Sequence, residues 1–328
     1  MPADPLELRA TPHRVRTAVR AAGLSDDALN RALDFAITTP PPIAWRRFLS
    51  GALALLGAGL LLAGVVCFVA YNWTRIGRFG KFALIELAII AATLLAWRKL
   101  PRLSGQVALL AAAVLVGPLL AIYGQTYQTG ADPYGLFLTW FALIIPWVIV
   151  SRFSALWVVA ILLLDVSLLL FAGQVIGLNQ ARDMLWVPLV IAALHGVAVA
   201  CWEWQSGRAQ PWLDERWAMR LVAVLGFAAL LVVGVTFVFV DEEAGAAGSV
   251  GVLALATAIG GTLRYYRSIR PDQFMVTLAV VMGMAWVTAL VGRFIMELDL
   301  DALGFFVMAA FVIWEITLGV KWYRRHAS

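Results

Sequence analysis

Charge is what this sequence has least of. Asp, Glu, Lys and Arg make up 14% of its 328 residues, against about 25% in ordinary soluble domains. So few ionic groups cannot clothe a chain of this length in water, which excludes a soluble enzyme, a DNA-binding module and a disordered tail. Histidine is also scarce. His13, His195 and His326 match no zinc-site spacing, and the H-E-x-x-H, G-x-x-x-x-G-K-[ST] and G-x-S-x-G patterns are all missing. Ser206-Gly207 has no base near it in sequence. No catalytic residue, metal or cofactor is therefore expected, and an enzyme is the weaker class. The two cysteines, Cys67 and Cys201, fall inside apolar runs, where thiols behave as small hydrophobes, so no disulfide is expected. Lysine occurs only at 81, 99 and 321. The Arg bias reads as a G+C-rich bacterial genome and not as phosphate recognition, and nucleic acid is not an expected partner.

Apolar residues fill the space that charge leaves. They make up 62% of the chain, and the mean hydropathy is +0.86. Ten apolar runs follow one another at approximately 48–71, 80–97, 105–123, 134–150, 154–172, 184–202, 219–240, 246–263, 273–292 and 303–321. A helix of about 20 apolar residues crosses the hydrocarbon core of a bilayer. The expected fold is an all-α polytopic membrane bundle of about ten transmembrane helices, with the bilayer as its first partner. The first run begins too late, and is too long, to be a cleaved signal peptide, so it is expected to remain as an anchor.

Residues 1–44 are expected to form a cytoplasmic helical hairpin, and 45–328 the bundle. Thr11 to Ala22 reads as a basic helix closed by Gly23. Ser25, Asp26 and Asp27 start a second helix, which Pro40, Pro41 and Pro42 stop. The hairpin either lies at the membrane surface or docks a cytoplasmic protein partner. Basic residues are retained in the cytoplasm. Both termini inside places twenty of the 25 basic residues on that side, as expected for a bacterial inner membrane. Arg75, Arg78 and Lys81, together in the first external loop, break the rule.

An internal repeat is suggested by Phe68-Val69 against Phe237-Val238, Gln106 against Gln273, and Tyr134 to Phe137 against Leu303 to Phe306. Runs one to four would then match runs seven to ten in parallel orientation, as in several transporter folds.

Four ionisable residues lie deep in their runs: Glu86, Asp165, His195 and Glu315. Ionisable groups in hydrocarbon are costly, so they mark either a proton or cation pathway or hydrogen bonds that hold the bundle together. Glu86 and Glu315 are expected to be buried. Pro118, Pro146 and Pro188 interrupt three runs and suggest broken helices of the kind that line transporter sites. A second candidate site faces outward: Asn72, Trp73, Arg75, Arg78 and Lys81 in one loop, and Gln125, Tyr127 and Gln128 in the next. Their amides, rings and cations suit an anionic lipid headgroup or a glycan, although an interfacial belt has the same composition.

Ala70-x-Asn72-Trp73, Lys81, Glu86, Gln125-x-Tyr127 and Gly130, behind a short N-terminal hairpin, resemble the predicted membrane-protein family called domain of unknown function 2157, over about residues 10–155. The resemblance implies a bacterial multi-pass membrane protein and carries no activity. The leading expectation is a transporter-like bundle that binds a small molecule or lipid headgroup. The alternatives are a non-catalytic scaffold recruiting a partner through the hairpin, and a lipid- or glycan-modifying enzyme.

Overall fold

The computed structural model describes residues 42–71, 75–100, 102–128, 130, 132–176, 185–206, 211–213, 216–298 and 300–326, with short stretches between 15 and 29. The side chains of 241–244, 322–326 and parts of the first long helix are not among those described. The described residues are helical nearly throughout and contain no strand. The chain divides into two compact units, Met1–Gly77 and Arg78–Ala327.

In the first unit the expected helix boundary is present. The Ala22 amide donates to the Ala18 carbonyl at 2.9 Å, Gly23 adopts φ +64°, and the Ala28 amide donates to Ser25 Oγ at 3.4 Å. Pro40 and Pro41 lie outside the described residues. Pro42 opens α1 (Pro42–Tyr71), a 30-residue helix carrying the first apolar run. A proline costs little there, because first-turn amides have no helical partner.

Among its described residues the second unit holds nine helices long and apolar enough to cross a membrane. They are α2 (Arg78–Lys99), α3 (Leu103–Tyr127), α4 (Pro133–Ser151), α5 (Ser154–Phe171, extended by a π turn to Ile176), α6 (Trp186–Ser206), α7 (Trp217–Val240), α8 (Gly245–Ser268), α9 (Gln273–Glu297) and α10 (Asp301–His326). The protein is a multi-pass membrane protein, and helices suit that medium because they satisfy their own backbone polar groups.

Helices α7 and α8 follow each other without a loop inside the 52-residue segment Trp217–Ser268. Straight, it would extend about 78 Å at 1.5 Å per residue, far more than a bilayer core. Gly245, at φ +52°, reverses it. The halves return so closely that a Cβ on Gly251 would lie 2.1 Å from Val233 Cγ1, and one on Gly234 would lie 3.0 Å from Leu255. Only glycine permits that approach.

Two apolar cores meet at α5. Leu156, Ala160 and Leu163 face the first core, with Ala113, Val116, Ile144 and Val148. Val158 faces the second, with Leu189, Met219, Val233, Leu255 and Met275. Trp157 packs against both. The expected proline breaks are absent. Helices α3 and α4 run on through Pro118 and Pro146, and Pro188 sits in the first turn of α6, where its missing amide is not needed. Near Pro118, the Trp140 indole donates to the Ala113 carbonyl at 2.7 Å. Its ring fills the space a Gly117 side chain would occupy, 2.3 Å from an added Cβ.

Candidate functional site

Of the four ionisable residues singled out in the apolar runs, two meet. His195 of α6 is 1% exposed, and its Nε2 lies 3.3 Å from Asp165 Oδ2 of α5. Its Nδ1 donates to the Ile191 carbonyl one turn back, at 2.8 Å. Asp165 Oδ1 and His195 Nε2 are both buried, and neither completes a hydrogen bond. The close approach sets an acidic and a basic side chain side by side, so that neither stands alone in the apolar bundle.

The other two stand elsewhere. Glu315 of α10 is half-buried, and its Oε2 accepts from the Thr288 hydroxyl of α9 at 2.6 Å. Glu86 departs from the expected burial: it lies on the exposed face of α2. Helix α2 contributes only Ile85 and Ala96 as buried residues, so most of its circumference, Glu86 included, is left outside the core.

His195 also lines a cavity of about 290 Å³ between α6, α7 and α8. Helix α7 is its floor, through Ala223, Gly226 and Phe227, while Gly196 on α6 and Thr257 and Gly261 on α8 form its rims. An added Cβ on Gly226 would lie 2.8 Å from His195 Cβ, so glycine is what lets the floor approach the histidine. Tyr266 closes one end.

Beyond Tyr266 lies a cluster that sequence reasoning missed. Tyr266 donates to Glu203 Oε1 at 2.8 Å. Arg216 also holds Glu203 Oε1, and Arg270 lies 2.5 Å from Glu203 Oε2 and donates to Ser206 Oγ. Arg216 bridges to Asp272 at 3.1 Å, and Arg220 meets the same carboxylate at 3.1 Å. The Asp272 side chain is wholly buried and caps α9, accepting from the amides of Phe274 and Met275. Three guanidinium groups thus surround two carboxylates at one end of α6 to α9. In sequence these arginines read as topological charge, because their partners stand up to 67 residues away. The available signal was Glu203, an acid in the last turn of an apolar helix on the arginine-rich side.

The outward-facing candidates are brought only partly together. Phe82 and Tyr127 rings lie 6.3 Å apart, which sets the start of α2, with Arg78 and Lys81, beside the end of α3, with Gln125, Tyr127 and Gln128. Arg78 stacks over Phe79 at 4.9 Å. Gln128 adopts φ +45° and ends α3. Asn72 and Trp73 lie outside the described residues, and Arg75 belongs to the first unit. Lys81, Gln125, Tyr127 and Gly130 are among the residues that carried the family resemblance. Residues 20–157 match the family "Predicted membrane protein (DUF2157)". The DUF2157 region ends in α5, so the cavity and the ion cluster of α6 to α9 lie wholly beyond it. No curated protein and no solved structure matches the chain.

Proposed function

We propose that this protein is a transporter-like, small-molecule-binding bundle of a bacterial inner membrane, with both termini cytoplasmic. One observation carries the reading: a cavity among α6, α7 and α8 is bounded by a buried His195, itself paired with Asp165. Buried ionisable pairs beside cavities are the usual apparatus of solute and proton pathways in membrane bundles. The Asp165–His195 pair sets two ionisable groups beside the ligand space, and the Tyr266–Glu203–arginine cluster closes the end of that space on the arginine-rich side. The inward placement of that side follows from the basic bias of its connections.

The test is thermal unfolding of the full-length protein in neutral detergent against a panel of amino acids, nucleosides, monovalent cations and phospholipids. At least one class is expected to raise the midpoint of the parent but not of Gly261→Phe, which fills the cavity from its open rim. A panel that shifts both proteins alike overturns the reading.

A further inference from the structure

The chemistry of the cavity wall narrows what it can hold. Most of its lining is apolar, and three of its four polar side chains already donate elsewhere: His195 Nδ1 to Ile191, Thr257 to the Leu253 carbonyl at 2.7 Å, and Tyr266 to Glu203; Thr262 is the fourth. A polar solute entering here would lose water against a mostly apolar wall that offers it few groups besides the Thr262 hydroxyl, which is costly. Hydrocarbon would lose nothing. The volume, about 290 Å³, lies near the lower end of the roughly 300–1,000 Å³ range of ligand pockets, which suits a single chain.

The mouth opens sideways. Gly196, Gly260 and Gly261 are exposed, and a Cβ added to any of them meets nothing within 4 Å. In a multi-pass protein, this flank of α6 and α8 is a surface that lipid tails reach. Thr257, Gly260, Gly261 and Arg264 follow one another at helical spacing along the exposed face of α8. Seven residues separate Thr257 from Arg264, about 10 Å along the axis. A lipid whose phosphate met Arg264 would carry its chain into the groove within the first third of a core about 30 Å thick. The cluster just beyond, with three arginines for two carboxylates, adds a further excess of positive charge on that side.

We propose that the α6–α7–α8 groove is a binding site for one acyl chain of an anionic phospholipid, whose phosphate rests against Arg264. This names the ligand class of the cavity and rests on its being a ligand site. The experiment uses delipidated full-length protein in neutral detergent. Lipid retained is read by native mass spectrometry, and the unfolding midpoint is followed, with dioleoylphosphatidylglycerol, dioleoylphosphatidylcholine or glycerol 3-phosphate added. The glycerol lipid is expected to be retained about two- to fivefold more tightly than the choline lipid, the range for one partly exposed charge contact. Arg264→Gln should bring the two to parity, and Gly261→Phe and Thr257→Trp should each abolish specific retention of both. Equal retention of the two lipids by the parent, or glycerol 3-phosphate matching the lipid's effect, overturns the proposal. If retention is still lost in the groove-filling variants, the ligand cavity itself stands. Retention unchanged in both groove-filling variants overturns the lipid site and the cavity reading together.

Discussion

Removing the Asp272 carboxylate should be among the more damaging single changes available at the end of the bundle. In Asp272→Ala three things are lost: the cap of α9, the contact to Arg216 and the contact to Arg220. A cap contributes about 1 kcal/mol, and losing one partner of a buried ion pair costs about 3–5 kcal/mol. The lower end applies here, because Arg216 keeps Glu203 and Arg220, 38% exposed, regains water. The expected loss is therefore about 4 kcal/mol. Asp272→Asn retains a capping oxygen and should recover about 1 kcal/mol of it. Glu297→Gln breaks a similar pair with Arg293, but at a site where the carboxylate is 56% exposed, so it should cost no more than about 0.5 kcal/mol. Reversible unfolding in mixed micelles, titrated with a denaturing detergent, reads all three. A loss below about 1 kcal/mol for Asp272→Ala, or an equal loss for Glu297→Gln, would refute the argument that burial decides the strength of these pairs.

Gly117→Ala places a Cβ against the Trp140 ring, which a hydrogen bond to Ala113 holds in place. It should cost about 1–3 kcal/mol, whereas Gly135→Ala, in open space on α4, should be neutral or stabilising; equal effects in the same unfolding assay would count against tight packing at Gly117. Asp165→Ala and His195→Phe should each destabilise by about 1–3 kcal/mol by orphaning the other buried group. Their double mutant should show a coupling of about 0.5 kcal/mol or more, and strict additivity would mean that the two side chains do not interact. A cysteine at Thr129 or Ala244 should react with an impermeant thiol reagent applied outside intact cells, and one at Ser268 should not; the opposite pattern reverses the orientation.

What the sequence settled by itself are properties that depend on composition along one strand of chain. Apolar runs of about 20 residues, separated by short polar links, leave helices across a bilayer as the solution, because backbone amides in hydrocarbon have only their own carbonyls to bond. The helix end at Gly23 and the start at Ser25 were legible for the same local reason. The resemblance was legible too, since it sits in contiguous residues around Lys81 and Tyr127. What depends on which faces meet was not legible. Asp165 and His195 are 30 residues apart and pair only because α5 and α6 pack; Glu86, equally deep in its run, is left on the outer face of α2. Pro118 looked like a helix break, yet α3 runs on through it, packed against α4. The arginines of α7 and the α8–α9 link read as charges held in the cytoplasm, and only the packing of four helix ends gives them Glu203 and Asp272. Hydropathy measures how strongly a residue avoids water, which is a property of the residue. A cavity or a buried ion pair depends on neighbours from other helices, and those are assigned only when glycines such as Gly226, Gly234 and Gly251 let particular helices close on one another.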